Sequence, residues 1–435
     1  MLLVFGLFLL IFLVFCFILA TIHLFLQRTK RQRDDFLTGD FPLGRHPGQE
    51  VCYDCCETDV QFLASAREIQ QTMCQLIARA SHEVVLCTYR WRVEFDPGPN
   101  GQIMAIGTAL AQLQKQRKHV NMYILTNQML SIESNSFVQD QMDTTLAIWR
   151  QLGFDNEGTV RVYFRTWKHL TLANIHDKFL VVDGLDVMSY SMNVENYSHG
   201  RESSWIECGL QLLNAKPVAS ALVTHFFTNW EESTPFEVGV VDVPNITEYQ
   251  DFSCDLSPTH QTHAKVHLLT RRPSALAWNR QNILTSNIIQ LLQSARDSIC
   301  ICTPNLNDIS ILNACKTHTR VVLSSGFNVD APVIQELFLG WSTNERMTSR
   351  YTTYPNLHVR WNARENQFVV GKVPYALHAK LFLIDGYILI AGSVNCDVYS
   401  TVTSGEVAMI VFSKELVSQA LETFFEPLWL RALEF

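Results

Sequence analysis

The chain has 435 residues, with 34 basic against 42 acidic side chains, a net charge of −8, 47% apolar residues and 17% charged ones. This composition excludes an extended disordered chain, and the acidic balance argues against a broad basic footprint for nucleic acid, leaving room only for a local basic cleft. The length exceeds one usual core, so two domains or two fused halves are expected, and twelve cysteines are too sparse for a disulfide framework.

From Leu2 to Leu26 there is no Asp, Glu, Lys or Arg, and at 1.5 Å per residue such a run exceeds the ~30 Å of a bilayer's hydrocarbon. Residues 1–27 are therefore expected to form a single transmembrane anchor. The run is too long for a cleaved signal peptide and lacks both a basic start and a small-residue cleavage site. Arg28, Lys30, Arg31 and Arg33 follow it with nothing basic before, so the positive-inside rule places the body in the cytosol. Sequons at Asn196 and Asn245 would matter only for a lumenal body.

Residues 28–60 read as a loose juxtamembrane segment. Its Cys52, Cys55 and Cys56 cluster has no second ligand pair at zinc spacing, which leaves a disulfide, a lipidated thiol or no role open. Beyond it, helical patterns at Gln102–Gln116 and Asn282–Arg296 alternate with short strands at Val120–Thr126 and Arg320–Ser324. Such alternation implies an α/β protein with layers around mixed sheets. Cys87, Cys208, Cys300 and Cys302 fall in apolar strand-like runs and read as buried thiols.

The chain repeats itself. Ile175-His176-Asp177-Lys178 followed by Phe-Leu-Val-Val-Asp183-Gly184 recurs 202 positions later as Leu377-His378-Ala379-Lys380 followed by Leu-Phe-Leu-Ile-Asp385-Gly386. A strand-like run with an acid follows each, at Glu207 and at Glu406, and in each half a Phe and a Trp lie 19 and 23 residues further on: Phe226 and Trp230, then Phe425 and Trp429. Upstream, Ala80 to Thr88 parallels Ala295 to Thr303. The halves span 61–235 and 266–435, and the Pro-containing stretch 236–265 reads as a linker. The Phe and Trp pairs sit at helical spacing and read as core anchors, and His82, His225 and His358 as structural histidines.

Alternation along a strand would point His176 and Lys178 into one cleft, and His378 and Lys380 likewise. After each Asp comes a turn, Tyr190-Ser191-Met192-Asn193 or Gly392-Ser393-Val394-Asn395, whose side chains can reach the same cleft. His263-Ala264-Lys265 is a decoy with Thr270 where the Asp would stand. Two His-Lys pairs can together supply a nucleophile, a general acid and cationic donors. Glu207 and Glu406 are expected to accept a hydrogen bond from the second ring nitrogen of each His, fixing its tautomer.

His-x-Lys-x4-Asp-x6-Gly-Ser-x-Asn resembles the signature of the phospholipase D superfamily, here duplicated as in its two-motif members. The second copy matches throughout, whereas Tyr190 stands where the family has Gly, a change expected to narrow access or alter the backbone near the phosphate. The resemblance implies two similar halves, each a mixed sheet flanked by helices, forming one pseudo-twofold bilobal body behind the anchor. It also implies a catalytic set of His176, Lys178, Asp183, His378, Lys380 and Asp385, with Asp183 and Asp385 stabilising the motif's own loop. His176 would attack phosphorus to give a phosphohistidine. His378 would protonate the leaving alcohol and then activate water or another alcohol. Lys178 and Lys380, with Ser191, Asn193, Ser393 and Asn395, would bind the phosphate oxygens, so neither metal nor cofactor is expected.

The anchor favours a phospholipid of the adjoining membrane as substrate, cleaved or transferred. A single-strand nuclease of the same superfamily is the second reading, although no interleaved basic and aromatic stripe is evident for it. An inactive membrane scaffold is the third. Oligomeric state is left open by the sequence.

Overall fold

The computed structural model describes residues 50–93, 101–128, 135–168, 173–195, 205–235, 261–273, 282–325, 343–364, 367–368 and 376–434. The anchor expected at 1–27, the basic cluster after it and both sequons lie outside these residues. Among the described residues no helix is long and apolar enough to cross a membrane.

The first half contains β1 (Glu50–Leu63), α1 (Ala66–Arg79), β2 (Glu83–Thr88), α2 (Gln102–Lys115), β3 (Val120–Asn127), α3 (Asn135–Gln151) and β4 (Val160–Trp167). It continues with β5 (Phe179–Val182), β6 (Asp186–Tyr190), β7 (Gly209–Leu213) and α4 (Lys216–Glu231). The second half contains β8 (Thr262–Arg271), α5 (Ile283–Ser294), β9 (Ser298–Thr303), β10 (His318–Leu323) and β11 (Leu357–Trp361). It ends with β12 (Leu381–Ile384), β13 (Ile388–Gly392), β14 (Glu406–Phe412) and α6 (Lys414–Ala420), which runs through a π-helical turn at Leu421–Phe425 into α7 (Glu426–Arg431).

Local chemistry explains the helix starts. Ser65 accepts from the Glu68 amide at 3.2 Å while the Glu68 carboxylate reaches back to the Ala64 amide at 2.9 Å, and Asn282 accepts from the Thr285 amide at 2.7 Å. Ser65 and Asn282 each satisfy a helix N–H that lacks an intrahelical partner. Parallel strands need crossovers, and α2 and α3 provide them between β2, β3 and β4.

The expected mixed sheets are one. β1 and β8 pair antiparallel, and this seam joins everything into a 16-stranded sheet. Outward from the seam the order is β1-β7-β6-β5-β2-β3-β4 on one side and β8-β14-β13-β12-β9-β10-β11 on the other. Short edge strands, Thr234–Pro235 and Leu433–Glu434, finish the two margins.

The seam strands also cross the expected boundaries. Residues 50–60, read as loose, form most of β1, and 262–265, read as linker, open β8, because each strand finds main-chain partners in the other half that no local pattern announces. Cys52 and Cys56 lie in β1 opposite Leu269 and Val266. The decoy His263 lies on the exposed face of β8, 3.0 Å from Asp59.

Three apolar clusters fill the layers. One lies between the first half's strands and α1 to α3, one occupies the corresponding place in the second half, and one draws on both halves together with α4 and α6. Phe226 and Phe425 are fully buried in the shared cluster, as core anchors should be. Trp230 lies beneath Arg165 and Trp429 beneath Arg360, at 5.1 and 4.4 Å. Cys87, Cys208, Cys300 and Cys302 are buried thiols.

Candidate active site

His176 and Lys178 do not lie on a strand. They occupy the extended stretch just before β5, as His378 and Lys380 do before β12. What positions them is pairing between the halves. Ile175 bridges to Gly405 and Ile206 to Leu377. Through these bridges the His176 amide donates to the Gly405 carbonyl and the His378 amide to the Ile206 carbonyl, both at 2.9 Å. Since Glu406 follows Gly405 and Glu207 follows Ile206, each acid is delivered to the other half's histidine.

The side chains bear this out. His176 Nδ1 lies 3.0 and 3.1 Å from the two Glu406 oxygens, and His378 Nδ1 lies 2.8 Å from Glu207 Oε1. Glu207 and Glu406 are wholly buried, whereas the imidazoles retain 8% and 5% exposure, so their Nε2 edges are what the cleft can offer. A carboxylate accepting from Nδ1 leaves a lone pair on Nε2 in the neutral ring.

Burial lowers His176 to about 4, with Lys178 and Lys380 opposing the raising effect of Glu406. His176 is accordingly neutral near pH 7, the form a nucleophile requires. Glu406 is held below the usual carboxylate range, burial being outweighed by His176, Lys178 and the Ser393 hydroxyl.

The Lys178 ammonium donates to the His176 carbonyl at 2.8 Å, and Lys380 donates to the His378 carbonyl. Burial lowers them to about 7 and about 8; Lys380 pushes Lys178 down further, and both glutamates support the charged form of each. An arriving phosphate would stabilise both ammonium ions.

Ser191 and Ser393, expected on the phosphate, are committed elsewhere. Ser191 Oγ donates to Glu207 and accepts from the Cys208 amide at 3.0 Å, and Ser393 Oγ donates to Glu406 and accepts from the Val407 amide at 3.0 Å. Both hydroxyls are fully buried and brace the acids. Asn193 donates to Glu195 at 2.9 Å, and the side-chain carbonyls of Asn193 and Asn395 have no partner among the described residues.

Asp183 and Asp385, grouped with the catalytic residues by the motif, stand at the far end of β5 and β12, about 16 Å from their lysines at ~3.3 Å per residue. Asp183 accepts from the amides of Ser81, His82 and Glu83 at 2.8 to 2.9 Å. Asp385 accepts from those of Arg296, Asp297 and Ser298 at 2.8 to 3.0 Å. Each has positive φ, 52° and 51°, in a tight turn. They cap loops at the end of each strand away from the His-Lys pairs.

Tyr190 does not narrow the cleft. It is fully buried in the first half's core, where burial pushes its hydroxyl up. The glycine has changed strands: Tyr190 pairs with Gly209 on β7, whereas Gly392 pairs with Ala408 on β14. A Cβ on Gly209 would lie 2.9 Å from that of Tyr190, and one on Gly392, at φ +154°, would strike the Val407 carbonyl. Each half leaves one of the two facing positions empty.

Several site residues escaped the sequence reading. Ser400 Oγ donates to Glu406, and buried Arg271 donates to the carbonyls of Ser400 and Ser404, fixing the loop that carries Gly405. Asp397, raised to about 6 by burial, accepts from Asn305 at 3.0 Å and lies two residues past Asn395, as Glu195 lies two past Asn193. That repeated Asn-x-acid spacing was a signal available in the sequence. The Tyr89 ring lies 4.9 Å from His176 and the Trp205 ring 5.0 Å from His378. Among the described residues no three His, Cys, Asp or Glu side chains converge as a metal site.

Two His-Lys pairs, each held by an acid from the opposite half of an α/β body, make up the candidate site. Residues 288–429 match the family model described as cardiolipin synthase, PLD-like domain. No curated protein matches. Among solved structures, phosphatidylserine synthase from Haemophilus influenzae Rd KW20 is similar, with a TM-score of 0.60 and 15% identity over 86% of this chain and 90% of that one. NucT from Helicobacter pylori matches at a TM-score of 0.30 and 17% identity, over 40% of this chain and 99% of that one. Nuc from Salmonella typhimurium, a phospholipase D family member, matches at 0.28 and 17%, over 42% and 99%.

Proposed function

We propose that the protein is a membrane-anchored, metal-independent phosphodiesterase that cleaves or transfers phospholipid headgroups through a phosphohistidine. The carrying observation is the crosswise pairing of His176 with Glu406 and His378 with Glu207 beside two buried lysines. His176 Nε2 attacks phosphorus while the bond from phosphorus to the headgroup or lipid oxygen breaks, and protonated His378 gives its proton to that oxygen. Neutral His378 then takes a proton from water or a lipid alcohol, whose oxygen displaces His176 by breaking the P–N bond. Lys178 and Lys380 hold the nonbridging oxygens, with the Asn193 and Asn395 amides beside them.

The halves are related in this reading by a pseudo-twofold axis through the β1–β8 seam, with domain limits of 61–235 and 266–435 for the motif-bearing parts. The anchor at 1–27 and a cytosolic body rest on the sequence. A mobility shift on glycosidase treatment would overturn that orientation.

A single-strand nucleic acid is the second reading, and one observation favours it: Tyr89 and Trp205 stand against the two histidines, with Arg90 and Arg92 following Tyr89. Aromatic faces beside cations are what unpaired bases stack on. The test is to offer the body lacking residues 1–27 labelled phospholipid vesicles and labelled single-stranded DNA, with chelator present. Turnover of lipid that His176→Ala and His378→Ala abolish supports the first reading. Turnover of DNA alone transfers it to the second, and no turnover of either leaves the scaffold.

A further inference from the structure

Between His176 and Lys178 stands Asp177, whose side chain is fully buried. Its Oδ2 lies 2.9 Å from His225 Nε2 on α4, and its Oδ1 has no partner among the described residues. His225 is itself buried, and Asn229, one turn further along α4, lies 3.5 Å from the same nitrogen.

The second half has nothing of this kind. Ala379 takes the place of Asp177, and Phe424, the residue before Phe425, takes that of His225, the residue before Phe226. Both replacements are buried and apolar. A carboxylate and an imidazole thus stand in one half where a methyl and a phenyl suffice in the other, so the fold does not require the polar pair. Burying a carboxylate with one oxygen unpaired is costly, which calls for a compensating role.

We propose that Asp177 and His225 form a positioning pair that holds the charge and place of Lys178. The groups facing Asp177 are His225 from α4, the Cys87 thiol from β2 and Lys178 from its own motif. Lys178 in turn faces Lys380, Glu207 and Glu406 across the cleft. Asp177 favours the charged form of Lys178. Lys380 has Ala379 in the corresponding place and draws on Asp397 instead. The inference rests on the reading of the cleft as a phosphodiesterase site, but its test does not depend on turnover.

The experiment compares the wild-type body with the double variant Asp177→Ala/His225→Phe, which copies a pair already packed in the second half, and with Asp177→Asn. Lysine Nζ nitrogens are followed by 15N NMR across pH, the Lys178 signal being assigned by its loss in Lys178→Arg. The expected result is a Lys178 midpoint lowered by about one pH unit in both variants, the scale of an opposite charge within a few ångströms, with Lys380 moved less. The high-pH limb of turnover then shifts down with it. An unchanged Lys178 midpoint in the folded double variant overturns the proposal, as does an equal fall at Lys380. Wild-type protein that turns over no phosphodiester sinks the functional reading instead, and the titration still decides this one.

Discussion

Replacing Glu406 by Gln changes one oxygen to an amide nitrogen and tests the orienting acid directly. Glu406 accepts from His176 Nδ1, from Ser393 Oγ and from Ser400 Oγ, so all its contacts use acceptor capacity. Glutamine keeps one acceptor oxygen and presents two donor hydrogens. Ser393 and Ser400 donate to different oxygens of Glu406, so the amide nitrogen displaces one of these bonds and also faces His176, which answers by accepting at Nδ1 and carrying its proton on Nε2. The lone pair needed for attack is lost. Holding the wrong tautomer in a triad costs about 10⁴-fold in kcat, roughly 5 kcal/mol of barrier; a loss of about 10³ to 10⁴ is expected here, with KM changed little because both lysines remain. The assay is single-turnover cleavage with acid-quench trapping of phosphohistidine, alongside circular dichroism to confirm folding. A folded variant that forms the phosphoenzyme at the wild-type rate would refute the reasoning.

Other outcomes follow from the same geometry. Because His176 is lowered to about 4 and Lys178 and Lys380 to about 7 and 8, kcat/KM should persist well below pH 6. It should fall as pH rises through 7 to 8, where the lysines lose their protons, and a pH–rate profile checks both limbs. Asp385→Ala strands three loop amides and should lower stability by about 1–3 kcal/mol in urea titration while leaving kcat of the folded protein nearly unchanged. The loop amides hold Asp385 below its ordinary range despite burial. Its stabilisation is therefore present above the unfolded pKa and is lost as pH falls through the folded one, and that loss should be absent in Asp385→Ala. Tyr190→Gly should cost about 3–5 kcal/mol as a core cavity, with activity per folded molecule retained, which active-site titration would establish.

Much of the site was legible because the repeat preserved spacing. His176, Lys178, His378 and Lys380 come together as the motif spacing required, and Glu207 and Glu406 meet imidazoles as an acid in the following strand should. What the sequence did not disclose is non-local. Nothing near Glu207 says that Ile206 will bridge to Leu377 and so hand the acid to His378. The joined sheet was hidden for the same reason, since β1 and β8 find each other across some 200 positions. Tyr190 looked like a defect because its compensating Gly209 sits on a neighbouring strand, visible only once the register is known. The bracing of the acids by the motif serines was hidden because a hydroxyl beside a cleft can face phosphate or brace an acid, and spacing does not distinguish the two.

The exchange of acids between the halves has a consequence for how such a chain can change. Neither half, cut free, would own a correctly tautomerised imidazole, so cutting the connector should yield two inert pieces that regain activity only when mixed. Joined in one polypeptide, they are relieved of any need to stay alike, because each needs from the other only an acid at one position. Asp177, His225 and Tyr190 occupy one side alone, so the two halves differ inside a partnership that neither can leave.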